Sequence, residues 1–381
     1  MSQVQVNALR HLSASSDAVT LASDGTCTAK ITNNLSNRNL IINGSQIFDQ
    51  RNNGSAITAT SGGLFPVDRF MIFEDTDGTL TAQQTTITDL ENFTKCVRLT
   101  VGTADSSLSA NQYYGLFYRV EAFDTSHLGW GTSNAKTVTL SFWARSSVAG
   151  DHSCGFRSNN GHETYQFQYT LSANTWTKIT KTIPGPTSGN FPANSNARAF
   201  DIIWGMAGSS LASSTLNSWH TGVSWGLAAS GSVNLMATAG ATFDLTGVQL
   251  EAGSYATDFE HRSYSDELAR CQRYCEVILE GEGDGAYMVN SVGYATDQLY
   301  AIFRFAVEKR VSPTLVQTTG TNYYINYRNN SGVNFNGFTG LSWPNKRATG
   351  IYQSGSSFTA GQAGLVGSDN TSAKVYVTAE L

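Results

Sequence analysis

Lys136–Arg145 reads KTVTLSFWAR, and it decides the fold class. Val138, Leu140, Phe142 and Ala144 fall on one side of an extended chain, and Thr137, Thr139, Ser141, Trp143 and Arg145 on the other. That two-residue period belongs to a half-buried antiparallel strand. Outward from it, similar short runs recur between Gly, Asn, Ser and Asp: DRFMIFED from Asp68, KCVRLTVG from Lys95, YYGLFYRVE from Tyr113, TYQFQYTL from Thr164, WTKITKTI from Trp176, FDIIWGM from Phe200 and FDLTGVQLE from Phe243. This spacing is that of a β-sandwich. Pro184 and Pro186 in IPGPTSGN mark a turn or edge loop, because neither can donate to a ladder. The expected body is an antiparallel jelly roll over residues 38–262.

Composition agrees. Of 381 residues, 14% are charged, against roughly 25% in an average soluble domain, so hydroxyls and amides supply most of the polar surface. Thr, Tyr, Phe and Trp suit a pleated, half-buried surface. The formal net charge is −5 and there is no run of Lys or Arg, which argues against nucleic acid as a partner and against an anionic membrane. No apolar stretch approaches a membrane span, so no membrane insertion is expected. Residues 1–12, MSQVQVNALRHL, lack the basic and apolar regions of a signal peptide, so synthesis and folding in a cytoplasm are expected. Cys27, Cys96, Cys154, Cys271 and Cys275 form an odd, scattered set that reads as reduced core residues.

Residues 1–37 alternate in short stretches (Val4, Val6; Val19, Leu21; Cys27, Ala29, Ile31) but hold too few apolar residues for a core. They read as strands of a stalk pairing with other copies, or as a tail that orders on binding. At Ser263, S-Y-S-D supplies an N-cap serine, with Asp266 and Glu267 in the first turn. Leu268, Cys271, Cys275 and Ile278 follow at helical spacing, which predicts a connecting helix over 263–280. Its stripe packs on its own subunit or lies along a symmetry axis. Strand patterns return in QLYAIFRFAVE, TNYYINYR and KVYVTAEL, so 281–381 reads as a smaller C-terminal β domain.

The opening run Asn39–Arg51, NLIINGSQIFDQR, the later VDRF at Val67–Phe70, and the segment Thr246–Glu276, TGVQLEAGSYATDFEHRSYSDELARCQRYCE, resemble a domain recurring in bacteriophage tail fibres and related virion appendages. The segment is similar to their G-V-Q-L-E-x-G-x-x-A-T-x-F-E-x-R, E-L and C-x-R-Y-x-E run. VTLSFWAR, the Trp176-x-x-Ile179 pair and the IPGP turn match its middle. Asp258 stands where such proteins often have proline. The resemblance implies a jelly roll similar to carbohydrate-binding modules and a homotrimer in the tail of a virion made in the bacterial cytoplasm. It also implies an N-terminal segment docked to other tail proteins and a distal end facing a host surface polysaccharide or protein. An adaptor or decoration protein without receptor binding, or a polysaccharide depolymerase, is the alternative.

The chemistry-bearing residues point to binding. Glycosidic hydrolysis needs two carboxylates roughly 5 to 10 Å apart. Glu163, Asp201, Asp244 and Glu251 are candidates that no local motif pairs, so no catalytic residue is assigned and no enzymatic activity is expected. The histidines are dispersed, without a G-x-S-x-G elbow, and phosphate-binding loops are missing. EDTDGT at Glu74–Thr79 carries part of a calcium loop but reads as a hairpin turn, so neither a metal nor another cofactor is expected. Sugar rings present C–H faces that stack on aromatic rings. Trp219 and Trp225 in the body, and Tyr323, Tyr324, Tyr327 and Trp343 in the terminal domain, are therefore the candidate ligand contacts. Glu251, Phe259, Glu260, Arg262 and Arg273 read as a structural brace where strand meets helix.

Overall fold

A computed structural model describes residues 6–21, 23, 27–29, 37–59, 62–208, 210–221, 227–281 and 287–381. The body is a sandwich of two antiparallel sheets. Sheet I runs, edge to edge, Thr177–Ile183, Val138–Ser146, Thr242–Ala252, Lys95–Val101, Leu80–Thr86 and Ile57–Ala59. Sheet II runs Trp219–Thr221, Glu163–Leu171, Gly150–Ser158, Arg198–Gly208, Tyr113–Glu121, Phe70–Asp75 and Leu64–Val67. The fold is the expected all-β jelly roll.

Val138, Leu140, Phe142 and Ala144 are all buried between the sheets, as their alternation requires. They meet Trp204, Phe156, Phe167, Phe200 and Phe243, each fully buried. Side chains of this size contribute about 1.5–3 kcal/mol each on leaving water. Asp201 and Asp244 lie on the outward faces, held by arginines: Asp201 by Arg157 at 2.5 Å and Arg198 at 3.2 Å, Asp244 by Arg98 and Arg145, each at 2.7 Å.

EDTDGT does not close a hairpin. Phe70–Asp75 pairs with Tyr113–Glu121 in sheet II, whereas Leu80–Thr86 pairs with Lys95–Val101 in sheet I. The segment therefore crosses from one sheet to the other. Asp77 donates its N–H to Asp105 at 3.1 Å, and a Cβ on Gly78 would lie 2.6 Å from the Thr103 carbonyl oxygen. Among the described residues no cluster of three or more His, Cys, Asp or Glu could hold a metal.

The helix is shorter than its spacing suggests: it spans Tyr264–Gln272, and Cys275–Glu280 is a strand. CEVILE is apolar and partly β-branched, and pairing with Lys374–Thr378 overrides the helical continuation. Cys271 and Leu268 pack on Ile42 and Phe48 of the body, joined there by Tyr274 instead of Cys275 or Ile278. Ser263 is the N-cap, its hydroxyl accepting from the Asp266 N–H at 3.2 Å. Ser263→Ala is expected to cost about 1 kcal/mol in thermal or denaturant unfolding.

The terminal domain has a three-stranded sheet, Cys275–Glu280, Lys374–Thr378 and Thr314–Gln317, beside a seven-stranded one. Ion pairs tie it to the body. Glu380 bridges Arg51, at 2.8 Å, and Arg69, and the Arg310 side chain donates to the Asn196 carbonyl at 2.7 Å. Before the body, Ala8–Leu9, Val19–Leu21 and Cys27–Ala29 form a small antiparallel sheet with Leu9, Leu12 and Leu21 exposed. Val4 and Ile31 of the expected stalk lie outside the described residues.

Candidate functional site

In the seven-stranded terminal sheet the strands lie in the order Ser331–Phe335, Tyr324–Arg328, Ala363–Ser368, Tyr287–Ala295, Gln298–Arg304, Ala348–Ser354 and Gly340–Ser342. One face buries Leu299, Ala301, Tyr324, Phe335, Ile351 and Val366. The period of two then turns their neighbours outward, and Val292, Tyr294, Ile302, Tyr327 and Leu365 are exposed. Among the described residues no other layer covers this face.

Its centre is a set of stacked rings. Tyr300 and Tyr352 are directly opposed across two strands, with ring centroids 5.7 Å apart and planes 18° from parallel. Trp343 stacks on Tyr300 at 5.8 Å and 26°, and Tyr294 meets Tyr300 edge-on at 5.3 Å. Trp343 is 76% exposed and has φ of 49°. A left-handed backbone at so bulky a residue costs of order 1–3 kcal/mol. A turn holds it: Asn345 Oδ1 accepts from the N–H groups of Arg347 and Ala348 at 2.8 and 3.0 Å, and Ser312 donates to the Pro344 carbonyl at 3.0 Å. The Tyr294, Tyr300 and Tyr352 hydroxyls and the Trp343 indole N–H have no hydrogen-bond partner among the described residues. The face thus offers a ring surface with polar handles and no charge at its centre.

Of the six aromatic candidates, Trp343 and Tyr327 are on this face. Tyr324 is buried beneath it, its hydroxyl donating to the Thr318 carbonyl at 2.7 Å, and Tyr323 packs half-buried beside it. Trp219 is also a packing residue: its N–H donates to the Pro184 carbonyl at 2.7 Å and its ring lies against Trp130 and Phe191. Trp225 lies outside the described residues. Tyr294, Tyr300 and Tyr352 were not singled out from sequence. Their signal is weak, since GYAT, QLYAIF and GIYQS each contain one tyrosine in an ordinary strand pattern.

The brace residues join the two ends of the body. Glu251 accepts from the Thr257 N–H at 2.8 Å, and Glu260 from the Asn39 N–H at 2.8 Å. Arg262 donates to the Ile41 carbonyl at 3.0 Å and pairs with Glu267 at 3.1 Å. Phe259 packs edge-on against Phe93. Arg273 reaches further than sequence proximity suggests, to Glu121 on sheet II at 2.5 Å. Of the candidate acids, Glu251 is half a turn-bracing pair with Thr257, and Glu163 Oε2 accepts weakly from the Asn190 N–H at 3.4 Å.

Fold and face together define an all-β protein of several antiparallel sheets that displays an aromatic surface on its terminal sheet. No protein-family model matches the chain, and no curated protein matches it. Among solved structures, the enzymatically active domain of tailspike protein 4 from bacteriophage CBA120 is similar over 57% of this chain at 13% identity, TM-score 0.30. This chain spans only 22% of that chain's length. The CBM22-1 xylan-binding domain of Paenibacillus barcinonensis Xyn10C is similar over 57% of this chain and 96% of its own, at 8% identity and TM-score 0.28. A family 11 carbohydrate-binding module of Clostridium thermocellum is similar over 53% and 99%, at 12% identity and TM-score 0.26.

Proposed function

We propose that this protein is an attachment component of a bacteriophage tail, in which the exposed face of the terminal sheet meets glycans on the host surface. The observation that carries the binding role is Trp343, an indole held in a strained backbone, rigidly stacked on Tyr300 and open to solvent. Stacking on Tyr300 offsets that strain and leaves the other face of the indole open to a partner. A sugar's C–H face suits the indole, and its hydroxyls suit the unpaired phenols beside it. The virion assignment rests on the tail-fibre-like runs at Asn39–Arg51 and Thr246–Glu276. In this reading the chain is a homotrimer, and the N-terminal sheet, with its uncovered leucines, docks to another tail protein or to its own copies. No hydrolytic step is placed on the arginine-held acids.

Trp343→Gly tests the binding role. Glycine relieves the left-handed backbone by about 1 kcal/mol while forfeiting a stacking contact of about the same size, so stability should change by less than about 1 kcal/mol. Binding to susceptible cells, measured as cell-bound labelled protein, should fall about tenfold or more. Undiminished binding would remove the terminal face from the attachment role, and absence of cell binding by the wild type itself would favour an adaptor.

A further inference from the structure

On the outer face of sheet I, Trp143 forms the floor of a cleft of about 450 Å³, a size in the range of small-molecule sites. A smaller cavity of about 160 Å³ adjoins it, sharing Asn92, Phe93, Phe259 and His261 in its walls. The floor follows from a bulge. Ser141 opposes Gln249 and Trp143 opposes Thr246, so the partner strand carries an extra residue between them. Gly247, at φ of 60°, lies there, and a Cβ on it would come within 2.9 Å of the Trp143 ring and 2.7 Å of Phe93. Lys178 is directly opposite Trp143 on the other flank.

Both walls are fixed in place. Asp89, in the loop that carries Leu90 to Phe93, accepts from Arg145 at 2.5 Å and from the Trp176 indole at 3.1 Å, and Arg145 lies 4.5 Å over the Trp176 ring. The facing wall, Asp258 to His261, is held by the Glu251–Thr257 bonds and by the Glu260 N–H, which donates to Gln249 at 2.8 Å. This is a preformed site, which lowers the ordering cost of binding.

The polar groups in the cleft are the unusual feature. Glu91, Asn92, Ser141, Lys178, Asp258, His261 and the Trp143 indole N–H line it, and none of these side-chain groups has a hydrogen-bond or ion-pair partner among the described residues. Two acids and a lysine share this cleft without an ion-pair partner among the described residues. Glu91, Lys178 and Asp258 are exposed at the rim, whereas Ser141 is 4% exposed as a residue and lies on the floor beside Trp143. Burial among the Phe93 and Phe259 rings lowers the His261 pKa from its ordinary value, which favours the neutral ring, able both to donate and to accept.

We infer that the Trp143 cleft is a second ligand site, which takes a short neutral saccharide with one ring stacked on the indole. Mixed donors and acceptors around an aromatic floor match hydroxyls, each of which both donates and accepts. An anion would meet Glu91 and Asp258, and a purely apolar ligand would leave the polar groups unpaired. The site shares no residue with the terminal face and goes beyond the reading based on Trp343.

The test is titration calorimetry of the full chain with cellotriose, maltotriose and chitotriose as probes. At least one should saturate the protein, and Trp143→Ala should weaken it about tenfold. Trp143 is half-buried, so Lys178→Ala and Asp258→Asn, which lose no internal partner, supply fold-neutral variants. Each should weaken the same probe severalfold, and Trp343→Gly should leave it unchanged. The inference is overturned if no probe saturates the chain, if the Lys178 and Asp258 variants bind as wild type, or if Trp343→Gly abolishes binding that Trp143→Ala retains. That last result would still leave the terminal-face reading standing. A change in light-scattering mass on Trp143→Ala, without a change in probe affinity, would assign the cleft to a second copy of the chain and overturn it too.

Discussion

Glu380→Ala is expected to destabilise the folded chain by roughly 3–5 kcal/mol, the usual cost of stripping a buried ion pair of one partner. Glu380 is 9% exposed and faces two cations, Arg51 and Arg69, themselves 6% and 1% exposed. Both arginines have further acceptors, Asp68 for Arg51 at 3.1 Å and the Arg119 carbonyl for Arg69 at 2.7 Å. Neither acceptor replaces the lost carboxylate, which bridges the pair. Denaturant unfolding should show a lower midpoint, and a midpoint within a few tenths of a kcal/mol of wild type would refute the account. Burial alone would raise the Glu380 pKa, but Arg69 and Arg51 outweigh it and hold the carboxyl below the ordinary glutamate value. A depressed folded pKa gives stability that is present above the unfolded value and is lost as pH falls through the folded one. The wild type should therefore lose stability on acidification below about pH 4, and Glu380→Ala should show a weaker acid limb.

Asn43→Ala is expected to cost roughly 3–4 kcal/mol, because three effects combine at one buried residue. Asn43 has φ of 61°, a conformation asparagine tolerates and alanine resists. Its side chain accepts from the Phe48 N–H at 3.0 Å and donates to the Phe48 and Asp68 carbonyls, both at 2.9 Å. Phe48 O also accepts from the Asp68 N–H at 3.0 Å, so it keeps a partner. The Phe48 N–H and the Asp68 carbonyl do not. Asn43→Gly separates the terms: it should recover the backbone part, about 1 kcal/mol, and leave the hydrogen-bond part lost. Equal losses for the two variants in equilibrium unfolding would show that the backbone conformation contributes nothing.

Asn43 also shows why part of the fold was legible in the sequence and part was not. NLIING and GVQLE lie some two hundred positions apart, yet their likeness to one recurring domain already joined them. The structure brings the two runs side by side: the Leu40 N–H donates to the Leu250 carbonyl and the Val248 N–H to the Gly44 carbonyl, both at 2.9 Å. The alternation in KTVTLSFWAR placed Phe142 inside and Trp143 outside, and both stand as read. It could not say what else would arrive over Trp143. Phe93, Lys178 and Phe259 reach it only through sheet register and two loops, and register is a property of strand pairs. The same limit separates Tyr324 from Tyr327: in YYINY both parities are aromatic, so periodicity alone does not choose the buried face. The helix overran for a related reason. Cys275 and Ile278 keep a helical spacing, but a strand ninety residues later competes for them and wins.

The bridge from Arg51 and Arg69 to Glu380 spans more than three hundred residues of chain. During synthesis the sandwich can collapse long before residue 380 leaves the ribosome, and in that interval Arg51 has Asp68 while Arg69 has no carboxylate partner among the described residues. Contacts this distant in sequence form late, after loop closure has been met by nearer ones. The bridge thereby fastens the terminal sheets to a body that is already formed. Without Glu380, Arg69 has no carboxylate partner among the described residues, Arg51 keeps only Asp68, and the fold is weakened.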